Sequence, residues 1–536
     1  MAYVAPNSII ELFGDVGLSD NYTDTYYFAS ETGANGKDAY FTALPKVGVS
    51  LTPLSYLREE RNQVKVQLPM SQIYSARYMR FKNTSFENKW FYAFIKNIEY
   101  INNECSCIHY ELDPLMTWMG KFTLGVCFIE RQHTLRDGIG ENICDEKLDT
   151  GEYVCEHRST TAFFGDYALA LYRSQTDTEH VAPNVRQGTF IPLVATYYQM
   201  TTAGITNLQN KIEELIGDNR ADEILTIKLV PYRWCAQLDE TVATDVFTVT
   251  KPYNGSAAWG NFMPNNKKLY TFPYKYLSVT NCEDSEVPFK YEYFNDLPDE
   301  ISTGDCTFNI RGSAGTPEIN IMCYATDYNG FDFDYEHAVT MSDFPTVAWN
   351  VDGYKAYLAQ RDSTLFSNIV SNGITGAVSG ALFGGAGAVI GGASGMLSGA
   401  KPLIQDTAYN ILNMLTGDNL PARVPNETRG KMSSNLMAQM RNKNFYFNEM
   451  CITKNYAMMI DSYFDMFGYA VRQHGVPNMN ARPHWTYVKT VGCQVDGAVP
   501  ADDASFIENI FNNGIRFWNK NDTIGDYSAD NSPATP

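Results

Sequence analysis

Apolar positions recur along this chain at two spacings, and the alternation between them sets out its elements. In the first 160 residues the spacing is two. Val64, Val66 and Leu68 alternate with Lys65 and Gln67, the pattern of a half-buried strand. Trp90 to Ile95 (WFYAFI) is apolar without a break, as in a strand covered on both faces. Ile108, Tyr110 and Leu112 alternate with Cys107, His109 and Glu111, and Asp113-Pro114 ends that strand. Pro114 loses nothing by lacking an N–H in a first helical turn, so LMTWM is predicted to form a short helix.

Between 161 and 345 the spacing stays mostly two, at Leu225/Ile227/Leu229 and at Ile319/Ile321/Cys323. One helix interrupts it, marked by Leu208, Ile212, Leu215 and Ile216, with Gly217 placed as its C-terminal cap. The last 90 residues mix the two periods. Ala457 to Phe467 has helical spacing and Trp485 to Val491 (WTYVKTV) reads as a strand. A further helix carries Phe506, Ile507, Ile510 and Phe511, with Asp502 or Asp503 as its cap and Gly514 as its stop. The fold class that follows is mainly β with a few helices, a β-rich α+β chain of several domains. The expected divisions are an N-terminal β domain over 1–160 and a middle β-rich region with one helix over 161–345. A helix and an apolar excursion with its return fill 346–445, and an α+β part fills 446–536.

The excursion departs most from the rest. A helix start at Val351 to Gln360 leads into Ser363 to Ala400, where no residue is charged, in a chain whose formal net charge is -20. Glycines stand four apart in two ladders, Gly376, Gly380, Gly384 and then Gly387, Gly391, Gly395, Gly399. On a helix that spacing puts side-chain-free positions on one face, where backbones approach closely in lipid. Between them lie Ile374, Val378, Leu382, Phe383, Val389, Ile390 and Leu397. In water the segment is a poor helix, since each interior Gly costs about 1 kcal/mol relative to Ala. In a bilayer every backbone N–H and C=O must be paired internally, which favours the helix again. Ile374 to Leu397 exceeds the roughly 20 residues that span a hydrocarbon core. Its large side chains supply only some -2 to -5 kcal/mol of insertion free energy, so several copies would have to insert together. A flexible low-complexity loop, or a small-residue helix pair buried in protein, fits the same residues. After it come Lys401-Pro402, a helix-like run ILNML and turns around Pro421 and Pro425, so the chain leaves the fold and returns.

Composition narrows the function classes. The 61 acidic residues outnumber 41 basic ones, which argues against a protein that grips phosphates. The start MAYVAPNSIIELFGDVG has neither a basic n-region nor an apolar h-region and predicts no secretory leader. Eleven cysteines, without CxxC pairs, read as buried thiols of a protein assembled in a reducing cytoplasm. Cys105 and Cys107 would share a strand face, but no zinc pattern follows. Seven histidines show no metal spacing; His133 and His157 merely have acidic neighbours, Glu130 and Glu156. GxSxG, the phosphate-binding GxxxxGK[ST] and a placed GxGxxG are all missing. Asp332 and Asp334 in GFDFDYEH could be glycosidase carboxylates but read more simply as a solvated turn. The expectation is therefore no enzyme, with no catalytic residue, cofactor or metal assigned.

Five local runs stand out: MAYV at the start, NKWFYAF from Asn88, HYELDPLMTWM from His109, IFNNGIRFW from Ile510 and DTIGDYS from Asp522. In wording and order they resemble the distal tail-tube or tail-knob proteins of small short-tailed phages of the phi-twenty-nine (Picovirinae) type. The apolar excursion also falls at the matching place, while the middle offers little beyond RGSAG (Arg311 to Gly315). The resemblance implies a homohexameric tube of tail-tube-like β-barrels, with the C-terminal part packing back on it. The tube would hang below the lower collar or connector protein of the virion tail and conduct DNA without reading its sequence. Six apolar loops, here about 365–403, would plug the lumen, then enter host membrane lipid as a pore for genome ejection. Such a protein is assembled in the host cytoplasm and resides in the virion. A virion-associated carbohydrate-binding or carbohydrate-degrading protein is the alternative, and a bacterial pore-forming toxin a weaker third.

Overall fold

In the computed structural model the period-two stretches become strands. It describes residues 8–48, 51–54, 62–161, 167–174, 193–199, 201–217, 223–232, 245–251, 256–294, 305–313, 320–326, 328–330, 337–347, 349–350, 428–429, 443–519 and 524–533. The chain separates into two units, each assembled from distant segments. One combines Met1–Gly151, Trp259–Tyr270 and Thr453–Pro536; the other combines Glu152–Ala258 and Thr271–Ile452.

The first unit holds a six-stranded sheet. Its strands are β1 (Ser8–Phe13), β3 (Leu51–Leu54), β4 (Gln63–Val66), β5 (Tyr78–Asn83), β6 (Phe91–Asn102) and β7 (Cys105–Leu112), after β2 (Asp24–Tyr27), which belongs elsewhere. The order is β3-β1-β5-β6-β7-β4, antiparallel throughout. Both faces of its centre are covered, which accounts for the unbroken run at the start of β6. Ala93 and Ile95 join Ile10, Leu12, Val64, Val66, Met79 and Ile108 on one side. Tyr92 and Phe94 join Phe13, Tyr78, Leu115 and Met116 on the other. Each such side chain contributes about 1.5–3 kcal/mol on burial. The short helix Pro114–Trp118 forms where expected. Asp113 caps it, accepting from the Met116 N–H at 2.9 Å, and Pro114 takes the first helical position.

A second sheet in this unit orders β2, Ile515–Asn519, Trp485–Val491, β9 (Cys127–Gln132, following β8, Phe122–Leu124) and Tyr469–Gly475. Here β2 runs parallel to Ile515–Asn519, while the other neighbours are antiparallel. Trp485 and Trp518 pack with ring centroids 5.1 Å apart, both fully buried. Helices Lys454–Phe467 and Ala501–Asn513 match their sequence periods. The N-terminus of the second differs from expectation: Pro500 stands at the cap without a side-chain bond, and Asp502 and Asp503 lie in the first turn. There they still favour the positive end of the helix dipole, and Asp503 accepts from Trp118 Nε1 at 2.8 Å. Gly514 ends the helix as expected.

The second unit contains three four-stranded sheets, all antiparallel. The first orders Tyr153–Thr160, Tyr446–Ile452, Lys275–Thr280 and Glu286–Phe289; the second Leu193–Gln199, Tyr167–Ser174, Ile224–Pro231 and Thr346–Val347. The third orders Asp245–Thr250, Asp305–Ser313, Asn320–Thr326 and Ala338–Met341. One core draws on all three, with Leu169, Leu171, Phe289, Phe308 and Phe447 among its members. The helix Thr202–Gly217 adds Leu208, Ile212 and Leu215, while Gly217 is its last residue and not a cap beyond it. Ile227 and Leu229 are buried as the alternation requires, but Leu225 is 45% exposed. A bulge opposite Tyr172/Arg173 shifts the register there and turns Leu225 outward.

Candidate functional site

The positions expected to plug and insert, from Ile374 to Gly399, lie outside the described residues, as do Val351 to Gln360, Pro421, Pro425, Asp332 and Asp334. Among the described residues, no helix is long and apolar enough to cross a membrane. Among the clusters of titratable groups that the structure places, four in the first unit bear on function.

The largest is acidic. Asp461 Oδ1 accepts from the Asn266 N–H at 3.0 Å and from Asn266 Nδ2 at 2.9 Å, and Oδ2 accepts from the Asn265 N–H at 3.1 Å. Asp465, one helical turn on, accepts from Asn266 Nδ2 at 2.7 Å. Asp137 accepts from the Tyr469 hydroxyl at 2.7 Å and from the Lys267 N–H at 3.0 Å. Burial pushes all three carboxyls up, Asp461 to about 6. These are raised carboxylates of the kind found in glycosidases, yet their oxygens are taken up by backbone, amide and hydroxyl donors. Their work is to latch the segment around Asn265 and Asn266 onto the Lys454–Phe467 helix.

His133 is equally occupied. Its Nδ1 accepts from the Tyr487 N–H at 2.8 Å, so the proton is on Nε2, which donates to the Asp465 carbonyl at 3.1 Å. Burial lowers its pKa to about 3 and keeps it neutral. Two ion-pair clusters tie strands to loops. Glu146 meets Lys268 at 2.5 Å and also Arg131. Glu11 meets Arg80 and Lys46, each at 2.6 Å, and these cations hold its carboxyl below the ordinary value despite the opposing effect of burial.

The fourth cluster sits on the β6–β7 hairpin. Glu99 faces Cys107 across the ladder, and His109 Nε2 lies 3.1 Å from Glu99 Oε2. Cys107 is buried although strand alternation puts it on the polar side. Period-two reading shows that Cys107 and His109 share a face. It does not reveal Glu99, because the pairing depends on a turn at Asn103 and Glu104 and on ladder irregularities on either side of Glu99. The Asn102-Asn103 pair was the available signal for that turn.

Comparison with known proteins gives these clusters a setting. The profile of the caudoviral major tail protein N-terminus matches residues 6–123, the segment that holds the six-stranded sheet. The tail knob protein gp9 of Bacillus phage phi29 is 25% identical, with 99% of this chain and 100% of that protein aligned. The tail knob protein gp9 of Bacillus phage PZA is 26% identical over the same shares. Among solved structures, the bacteriophage C1 tail knob protein gp12 superposes with a TM-score of 0.56. The match covers 97% of this chain and 98% of that one at 13% identity, a likeness of fold. The profile of the phi29 tail knob protein gp9 C-terminal domain matches residues 240–532, more than half of the chain. On that span, this protein belongs to the phi29 gp9 tail knob family.

Proposed function

We propose that this chain is a structural protein of the phage tail that forms a six-copy, DNA-conducting tube. In this reading its apolar excursion seals the lumen and then enters the host membrane. The observation that carries the reading is the charge-free stretch Ser363 to Ala400 in a chain of net charge -20. Six such segments facing one another inside a tube hide their apolar surface from water; once displaced, a nearby bilayer is the better solvent. The glycine ladders let neighbouring copies pack closely enough to insert as a group. Six copies carry a formal charge of 6 × -20 = -120, so their interfaces must gain more from apolar burial than repulsion removes. The acidic surface also keeps passing DNA from adhering.

Two measurements on the full chain test this. Deletion of residues 363–400 should leave ring assembly intact and abolish leakage of dye-loaded liposomes. Gly380→Leu and Gly391→Leu should each reduce leakage by blocking close helix approach. Loss of the assembled ring on deletion, or leakage unaltered by both leucines, contradicts the plug and its glycine packing respectively.

A further inference from the structure

Beyond Ile95, strand β6 leaves the packed core: Lys96 to Asn102 are exposed apart from the half-buried Ile98. On this outlying part of the hairpin, three side chains with different donor atoms converge. Cys107 stands opposite Glu99, and His109 follows two residues along β7 on the same face. The Cys107 sulfur, a His109 ring nitrogen and a Glu99 carboxylate oxygen all lie within 4.8 Å of one another. We propose that Glu99, Cys107 and His109 form a binding site for a divalent transition-metal ion, best fitted to zinc.

The donor set selects the metal. A thiolate and an imidazole suit zinc and its neighbours, whereas calcium and magnesium demand oxygen ligands. Tetrahedral zinc, with bonds of about 2.0–2.3 Å, places its ligand atoms roughly 3.3–3.7 Å apart. The histidine–carboxylate contact of 3.1 Å is already near that spacing. The other two pairs, both to the Cys107 sulfur, are within 4.8 Å, so closing them needs at most about 1 Å, shared between the half-buried His109 ring and the exposed Glu99 side chain, at 61%. One thiolate and one carboxylate neutralise the ion's charge, so the site carries no net charge when filled. The mouth on the Glu99 side is open to solvent, leaving the fourth position to water.

Other groups face the same spot. Asn97 stands opposite His109 on β6; Gln63 and Lys65 stand opposite His109 and Cys107 on β4. Lys65 is the one cation among them, and it is exposed, so its ammonium can turn to water on a flexible stem as a metal enters. Binding displaces the Cys107 thiol proton to solvent, forming a metal–sulfur bond. A bound ion would add a side-chain link to the ladder that already pairs the outlying part of β6 with β7.

The test uses the full-length chain, kept reduced and titrated with cobalt(II) as an optical stand-in for zinc. One equivalent should give a thiolate-to-cobalt charge-transfer band that zinc then abolishes. Cys107→Ser, nearly isosteric, should remove the band. His109→Ala and Glu99→Gln should weaken zinc binding by more than about tenfold, the loss that even an outer-shell partner can cause. Circular dichroism identical to the parent confirms that each variant folds. Absence of the band overturns the assignment. So does a band, or a zinc affinity, that survives Cys107→Ser, since the metal would then sit on exposed thiols such as Cys155 or Cys282.

Discussion

Gly468 offers a clean separation of backbone strain from steric conflict. It ends the Lys454–Phe467 helix with φ 62 and ψ -155, and its N–H donates to the Phe464 carbonyl at 2.8 Å. A Cβ there would lie 2.4 Å from the backbone carbonyl carbon and oxygen of Gln132 and 2.5 Å from the His133 nitrogen. Those atoms belong to β9 and the turn after it, so no flexible side chain can give way. Gly260 shares the φ of 62, yet nothing lies within 4 Å of its Cβ position. Both glycines belong to the first unit. Gly260→Ala should therefore lose about 1 kcal/mol, the strain of a left-handed alanine. Gly468→Ala carries a backbone region that only glycine occupies readily, about 1–3 kcal/mol. Displacing the helix end from β9 raises the total to roughly 4 kcal/mol, the range that singles out a severe core defect. Five of the seven tryptophans, Trp90, Trp118, Trp259, Trp485 and Trp518, lie in this unit, so their fluorescence during urea unfolding follows it. With a urea slope of about 2–3 kcal/mol/M, Gly468→Ala should lower the midpoint by roughly 1.3–2 M. Equal midpoints for the two variants would refute the steric reasoning.

Further outcomes can be checked on the same unfolding curves. Asp461→Ala should destabilise the first unit by about 2–3 kcal/mol, chiefly because the N–H of the buried Asn266 loses its acceptor, while the N–H of the exposed Asn265 can turn to water. A loss under about 1 kcal/mol would mean that the latch is idle. Arg516→Met removes the counter-charge of Asp24, whose Oδ1 accepts from Arg516 Nη1 and from Trp518 Nε1, each at 2.9 Å; with the indole bond kept, a loss of about 2–3 kcal/mol is expected from breaking this largely buried pair. The pH dependence has opposing parts. Asp461 holds its proton up to about pH 6 when folded, against an ordinary 3.8, so its contribution is full below 3.8 and is lost as pH rises through 6. His133, lowered to about 3, instead removes stability as pH falls below 6.5, because the unfolded chain gains a proton that the folded one refuses. Relative to Asp461→Asn, the parent should gain roughly 2 kcal/mol between pH 7 and pH 4; parallel pH profiles would exclude the assignment to Asp461.

Local pattern carried much of the fold. Alternation located β4 and β7, the double-sided apolar run located β6, and Asp113-Pro114 located a capped helix, because each depends on neighbours only a few residues away. Misreadings arose where a distant strand decided the outcome. Leu225 follows the alternation but is the unpaired residue of a bulge, visible only once the register against Tyr172 and Arg173 is known. Asp502 and Asp503 look like caps, yet Asp503 is engaged by Trp118, from a helix 385 residues earlier. The same limit hid the hairpin cluster: Cys107 and His109 were visible as one face, and only the register brings in Glu99. Resemblance of short runs at both ends, together with the apolar excursion, pointed to the tail knob family when no catalytic motif did.

The parallel pairing of β2 with Ile515–Asn519 joins positions 492 residues apart, as Asp24 and Arg516 show. At about 5–20 residues per second on the ribosome, the early strand waits roughly 25–100 s for its neighbour to be made. Tyr27, whose ring meets Phe517 edge-on with centroids 6.4 Å apart, lacks that aromatic neighbour in the meantime. A chain cut short by even its final strand would keep this aromatic surface bare and be exposed to proteolysis. Synthesis thus carries its own proofreading, since only finished molecules can close this sheet.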